Sequence, residues 1–287
     1  MKLVNFEARG RASCGACIAG GVLDLGARLG DGARDVLALV RSGAAQLARA
    51  SALIETGARD YALDEVRLRS PAGRTRYFCI GVNYPERNEE YRDGSERPRY
   101  PSVFMRTHTS FSAPGEPIVR PRESEQLDYE GEIVVVIGHG GRRIPENRAL
   151  EHVFGYSCGN EGSVRDWLRH AKFNVTQGKN FDRSGSLGPW IVTTDEVGPA
   201  PMRVTTRVNG EIRQDDTSER MIFSIAYLIA YLSSFCTLEP GDVIFSGTPS
   251  GAGARFDPPR YLRPGDVVEV EVSRVGLLRN AVVEDAA

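Results

Sequence analysis

The sequence predicts an α+β, mainly β protein, a rolled or sandwiched β-structure preceded by a small N-terminal α/β domain. Three observations carry this. Beyond Ser70-Pro71-Ala72-Gly73 the chain breaks into many short β-branched runs separated by Gly and Pro, which favours a roll or sandwich over a doubly wound sheet. Two amphipathic, Ala-rich helical patterns lie before that point. Only one strongly apolar helical stretch, Ser218 to Phe235, interrupts the β-runs after it. A chain of 287 residues can hold one large domain, or one large and one small, and the Ser-Pro-Ala-Gly run is the expected boundary between 1–70 and 71–287.

Taken in order, the chain opens with strand-like pieces. Cys14-Gly15-Ala16-Cys17 falls between the first of them and Gly20-Gly21-Val22-Leu23-Asp24-Leu25, and it reads as a turn joining two strands. Five cysteines, an odd number, give no disulfide framework, and the lone CxxC has neither a second ligand pair for zinc nor the strand-to-helix setting of a redox motif. The helical patterns run from Asp35 to Gly43 and from Ala44 to Thr56. β-runs follow at Tyr77–Gly81, Pro117–Val119, Ile133–Ile137, Trp190–Thr193, Arg203–Val208, Asp242–Ser246 and Asp266–Val272, the last alternating as a half-exposed strand does. The helix from Ser218 to Phe235 is apolar nearly all round, as in a packed core helix or an oligomer contact.

A formal charge of -2 gives no footprint for nucleic acid or for an anionic membrane. The most apolar stretch, Met221 to Leu232, is shorter than the roughly 20 residues that span a bilayer. The start, Met1 to Glu7, has no apolar signal region, so the expected location is cytoplasmic.

Chemistry concentrates at Leu127-Asp128-Tyr129-Glu130-Gly131-Glu132, which leads into the apolar run Ile133–Ile137. That run reads as a strand buried on both faces. Side chains two apart on a strand share a side, so Glu130 and Glu132 converge at the mouth of the core. Like charges there repel unless a proton or a cation separates them, and a hard divalent cation suits oxygen ligands. The plainer alternative is a solvated strand end. Glu161 is the best third ligand, and Arg165, four residues on, suits a carboxylate through a bidentate pair, although a Glu and an Arg at that spacing are commonly a surface pair.

Several further blocks, together with these, resemble the fumarylacetoacetate hydrolase superfamily, and more closely its small bacterial members of aromatic-acid catabolism, over residues 76 to 283. They are Gly81-Val82-Asn83-Tyr84, Asp128 to Glu132, Arg165-Asp166-Trp167, Gly178-Lys179-Asn180-Phe181-Asp182, Gly188-Pro189-Trp190, Val208-Asn209-Gly210-Glu211, Leu238 to Val243 and Gly247-Thr248-Pro249-Ser250-Gly251. The resemblance implies a mixed β-roll of two wrapped sheets, a light N-terminal domain and a homodimer. It also implies Mg2+ or Mn2+ on three carboxylates, chelating a 2-oxo acid. Glu130 and Glu132 match two ligands, and Glu161 stands where the family usually has Asp. Lys179 matches a lysine near the reacting carbonyl, whose ammonium stabilises enolate charge. Thr248 resembles a residue that binds the substrate carboxylate; Arg165 and Tyr84 resemble pocket residues, with packing an equal alternative for Tyr84.

Two departures stand out. Hydrolytic members carry a His and then a Glu that activate water; here Arg87 occupies the histidine position while Glu90 keeps the acidic one. An arginine cannot accept a proton near neutral pH, so Glu90 becomes the first candidate base, and His108 is the one histidine placed to be tested as a replacement. Arg106 replaces a common lysine and keeps the charge for a distal carboxylate. The resemblance implies metal-dependent hydrolysis of a C–C bond in an acylpyruvate-like 2,4-dioxo acid. The alternatives share its enolate: an isomerase or tautomerase, a decarboxylase, or a hydratase acting on an oxo-dienoate or oxaloacetate-like acid. A non-catalytic dimeric binding protein is the reading from another class.

Overall fold

The computed structural model describes residues 1–86, 96–171 and 174–286. The chain begins with a meander of β1 (Lys2–Ala8), β2 (Arg11–Ile18) and β3 (Gly21–Asp24). Its reversals use Gly10 and Gly20 at φ 75 and 72, conformations that a residue with a Cβ rarely adopts. The turn expected at Cys14–Cys17 is therefore corrected: both cysteines lie inside β2. Gly15 between them needs its bare backbone, because a Cβ would meet Val22 Cγ1 at 2.6 Å. Burial pushes both thiols upward, Cys17 to about 11, which leaves them unreactive.

Three helices follow: α1 (Leu25–Leu29), α2 (Val36–Arg41) and α3 (Ala44–Thr56). Asp35 caps α2 by accepting from Ala38 N at 2.7 Å. Then come β4 (Tyr61–Ala62), β5 (Arg67–Arg69), β6 (Tyr77–Ile80), β7 (Val103–Arg106), β8 (Phe111–Ser112), β9 (Ile118–Arg120) and β10 (Leu127–Asp128). The central strand is β11 (Gly131–Ile137), followed by β12 (Val153–Asn160), β13 (Ser163–Val164), the short helix α4 (Thr176–Lys179), β14 (Gly185–Thr193) and α5 (Thr194–Val197). The remainder is β15 (Arg203–Val208), β16 (Glu211–Thr217), α6 (Ile225–Phe235), β17 (Val243–Phe245), β18 (Val267–Val272) and β19 (Gly276–Glu284).

These strands form two large mixed sheets. The main path runs β4-β3-β2-β1-β14-β12-β11-β17-β6-β7, with β5 on β1 and β8 on β14; the second runs β16-β15-β18-β19-β9. The pairs β17–β6, β14–β8 and β19–β9 are parallel, among neighbours that are otherwise antiparallel. Because β1 pairs with β14, with Lys2 opposite Val192, the strands of residues 1–70 extend the same sheet as the later ones.

The expected doubly buried strand is β11, all seven of whose residues are buried. Alternation splits it. Ile133, Val135 and Ile137 enter a core with Val204, Val268, Val270 and Leu228, while Val134 and Val136 enter another with Leu3, Leu23, Leu37 and Val40. Each such side chain stabilises the fold by about 1.5–3 kcal/mol, so both faces of the acid-bearing strand are anchored.

The long helix expected over Ser218–Phe235 is shorter. Ser218–Arg220 makes a 3-10 turn, and α6 starts at Ile225, capped by Ser224. Asn83 explains the break: its side chain accepts from Phe223 N at 2.8 Å and donates to Phe223 O at 3.1 Å, while its carbonyl takes Ile222 N at 2.8 Å. Tertiary bonds override the helical pattern there. One face of α6 buries Leu228, Ile229 and Leu232, and Phe235 is exposed, so the helix is not enclosed all round. Among the described residues no helix is long and apolar enough to cross a membrane.

Candidate metal centre

Glu130 and Glu132 flank Gly131 at the start of β11. No larger residue fits between them, since a Cβ on Gly131 would lie 1.9 Å from Thr206 Oγ1 of the second sheet. In the antiparallel register Gly131 faces Asn160. The residue after β12, Glu161, is thereby delivered beside Glu130, and its N–H donates to Glu130 O at 2.8 Å. Asn160 Oδ1 accepts from Glu130 N at 2.9 Å. One carboxylate oxygen from each of Glu130, Glu132 and Glu161 lies within 4.8 Å of the others, and all three residues are buried. The convergence expected for Glu130 and Glu132 is observed, and Glu161 completes it.

Cations surround this triad. Lys179, the last residue of α4, donates Nζ to Glu130 Oε2 and to Glu161 Oε2, each at 2.6 Å. Arg165 gives Nη2 to Glu130 Oε1 at 2.6 Å and Nε to Asp128 Oδ2 at 2.7 Å. Burial pulls the lysine pKa down, but the charges of Glu130 and Glu161 outweigh it and hold the ammonium protonated. For Glu161 burial raises the pKa, against the pull of Lys179 and Arg106. Glu132 is raised well above the ordinary carboxylate range by burial first, then by the charges of Glu161 and Glu130.

Glu132 also supplies the test of fit for a divalent ion. Its Oε2 accepts from Gly247 N at 2.7 Å, while its buried Oε1 has no hydrogen-bond partner among the described residues. A buried carboxylate oxygen without a partner is costly. Glu132 stands with two further carboxylates, an all-oxygen set suited to a hard cation. The residues fit Mg2+ or Mn2+, with Glu130, Glu132 and Glu161 as the holding groups.

The remaining expected residues divide. Thr248 borders the site, but its hydroxyl is committed, donating to Gly131 O at 3.0 Å and accepting from Gln214 Nε2 at 2.8 Å. Arg106 is corrected. All five of its N–H groups are used, on Glu161 Oε1 (2.9 Å), Gly162 O, Ser110 Oγ, Ser110 O and Ser184 Oγ. With its side chain fully buried it cannot reach a distal substrate carboxylate; it fixes Glu161 instead. Tyr84 is packed in the main core and does not border the cavity, and its buried hydroxyl has no hydrogen-bond partner among the described residues. His108 opens a 3-10 turn away from that wall. Arg87 and Glu90 lie outside the described residues.

The cavity beside the triad encloses about 180 Å³, bordered by Glu130, Glu161, Lys179, Arg165 and Thr248 on its polar side and by Ile80, Val82, Phe104, Leu168 and Val175 on its apolar side. Two working residues escaped sequence reasoning. Asp128, fully buried, accepts from Arg165, Gly253 N (2.8 Å) and Ala254 N (3.0 Å), tying the arginine to the loop after β17. Its place at the head of the acidic run was the available signal. Gln214 bridges Gly131 N (2.9 Å) to the Thr248 turn, and no sequence pattern marks it.

Residues 76–283 match the fumarylacetoacetate (FAA) hydrolase C-terminal family. An oxaloacetate tautomerase of Bacillus subtilis (strain 168), YisK, is 41% identical over 234 residues, 79% of this chain and 77% of the relative. Among solved structures, a fumarylacetoacetate hydrolase (EaFAH) from psychrophilic Exiguobacterium antarcticum superposes with a TM-score of 0.83 at 34% identity, covering 99% of this chain and 100% of that one. Maleylpyruvate hydrolase from Sphingobium sp. SYK-6, in complex with manganese (II) ion and pyruvate, gives 0.81 at 26% identity, covering 99% of each chain. With the mixed two-sheet fold and the buried acidic triad, these matches lead to one conclusion: the chain belongs to the fumarylacetoacetate hydrolase family.

Proposed function

We propose that the protein is a divalent-metal-dependent keto–enol tautomerase of a short 2-oxo dicarboxylic acid of the oxaloacetate type. The observation that carries this is Lys179, a buried, protonated ammonium held by Glu130 and Glu161 on the wall of a small cavity. The similarity to a named oxaloacetate tautomerase supports the same reading. It also favours tautomerisation over the hydrolysis expected from the sequence. None of the four histidines, all of them described, borders the cavity to activate water.

A bound Mg2+ or Mn2+ would act as a Lewis acid toward the substrate's carboxylate and 2-oxo oxygens. The chain's own part is proton transfer. Tautomerisation moves one proton between the 2-oxygen and C3, with no water added and no heavy-atom bond broken. The enol hydroxyl first gives up its proton to solvent, leaving the enolate; Lys179 then gives a proton to C3 and the amine regains one from solvent, so none is consumed. The ammonium also favours the negative charge that builds on the enolate between the two transfers. Arg165, clamped by Asp128, holds its charge at the cavity wall without side-chain rearrangement.

The test follows the enol absorbance of oxaloacetate with Mg2+, with Mn2+ and with EDTA. Metal-dependent loss of the enol band without pyruvate or CO2 supports the proposal. Release of pyruvate from an acylpyruvate, with no effect on oxaloacetate enol, would overturn it in favour of hydrolysis. A homodimer is part of the same proposal, and light scattering at a protomer mass of 31.4 kDa would check it.

A further inference from the structure

A second cleft lies against the first cavity. It encloses about 630 Å³ and is bordered by Arg169, Arg255, Gln126 and Tyr261. The two spaces share Arg165, Leu168 and Val175, which form the wall between them. Arg165 is fixed in that wall by Asp128 and Glu130. The side chains that can be changed without breaking a buried ion pair are therefore Leu168 and Val175.

Leu168 is held closely in place. Gly178, one residue before Lys179, has no side chain, and a Cβ there would lie 2.7 Å from Leu168 Cδ2. The leucine is thus pressed on the turn that carries the lysine. On its far side the cleft carries Arg169 and Arg255 against Asp166, whose Oδ1 already accepts from Ser124 Oγ at 2.6 Å. The inner cavity, at about 180 Å³, is well below the roughly 300–1,000 Å³ of pockets for drug-sized ligands, a size that suits a small metabolite.

We infer that Leu168 and Val175 form a partition that sets the substrate's chain length. It confines the enzyme to four-carbon 2-oxo diacids and closes off a basic cleft able to take the far carboxylate of a longer homologue. The inference rests on the tautomerase reading for its substrate class and on the shared wall for its residues. Arginines around that cleft supply charge-assisted hydrogen bonds to a carboxylate that reaches it.

The experiment compares oxaloacetate with 2-oxoheptanedioate, a seven-carbon 2-oxo diacid, with Mg2+ present. Exchange of the C3 hydrogens into D2O is followed by NMR, and binding of each diacid by calorimetry. The parent protein should bind and exchange the four-carbon acid and discriminate against the seven-carbon one. Leu168→Ala should shift the ratio of kcat/KM toward the longer acid by at least about tenfold, and adding Arg169→Ala should remove most of that gain. If Leu168→Ala does not fold, Val175→Ala gives the same readout. An unchanged ratio in a folded variant, or a parent that takes both acids equally, overturns the partition. Binding that shifts toward the longer acid with no exchange of either would uphold the partition and remove the tautomerase reading.

Discussion

On the outer face of the second sheet, arginines and carboxylates pair across neighbouring strands: Arg203 with Asp215, and Arg207 with Glu271 at 2.8 Å, with side chains between 28% and 63% exposed. Around the acidic triad the same residue types pair at similar distances, yet no side chain of Arg106, Arg165, Lys179, Glu130 or Glu161 is more than 9% exposed. The geometry of single contacts does not separate the two clusters. Burial does. In water a carboxylate that loses its arginine is solvated at once, so exposed pairs contribute little. In the interior a lost partner leaves a charge that nothing replaces. The buried cluster also holds one more demand than its described partners meet, the Glu132 Oε1 that has no hydrogen-bond partner among the described residues, and that excess suits a cation.

This contrast can be broken or sharpened by substitution. Glu132→Gln should have the largest effect, abolishing measurable Mg2+ and Mn2+ binding in a calorimetric titration while circular dichroism stays that of the parent. Retained metal affinity would remove Glu132 from the ligand set. Lys179→Met should lower turnover of oxaloacetate enol by about 10²–10⁴-fold, and unchanged turnover would take the lysine out of the reaction. Arg106→Met strips partners from Glu161 Oε1 and four further acceptors. Denaturant unfolding should show a loss of about 3–5 kcal/mol, and a loss near zero would mean that the buried cluster behaves like the exposed one.

A pH series gives a smaller effect. Because folding raises the Glu132 pKa above its ordinary 4.5, the folded metal-free protein binds a proton that the unfolded chain has released. Its stability should therefore fall as pH rises from about 4.5 toward the folded value, and Glu132→Gln should flatten that slope. Melting curves in EDTA read this directly, and stability rising through that window would contradict the assignment. The smallest effect belongs to the exposed ladder: Arg203→Ala should leave the melting temperature of the parent unchanged.

Much of the buried site is legible in local sequence pattern. The two-residue alternation places Glu130 and Glu132 together, and the β-branched run predicts β11 with both faces covered. Other features depend on long-range contacts that no local pattern encodes. Glu161 and Arg106 acquire their roles only through pairing: Glu161 through the β11–β12 register, and Arg106 by meeting Glu161 from 55 residues away. Asn83 cuts short a helix that periodicity alone extends. The strand β12 is hard to recognise because Gly155, Ser157, Gly159 and Asn160 dilute its apolar signal. The cysteine pair is misplaced by local pattern because Gly15 looks like a turn residue but is required by crowding within a strand.

The pairing of β1 with β14 has a practical consequence. A shortened version starting after residue 70 would bare the hydrogen-bonding edge of β14 and uncover Val134 and Val136 on the far side of the acid-bearing strand. Raw edges and oily faces of that kind recruit other copies into aggregates. Trimming the chain to a minimal catalytic unit would thus yield inclusion bodies, and the opening strands serve as the selvedge that keeps the cloth from fraying.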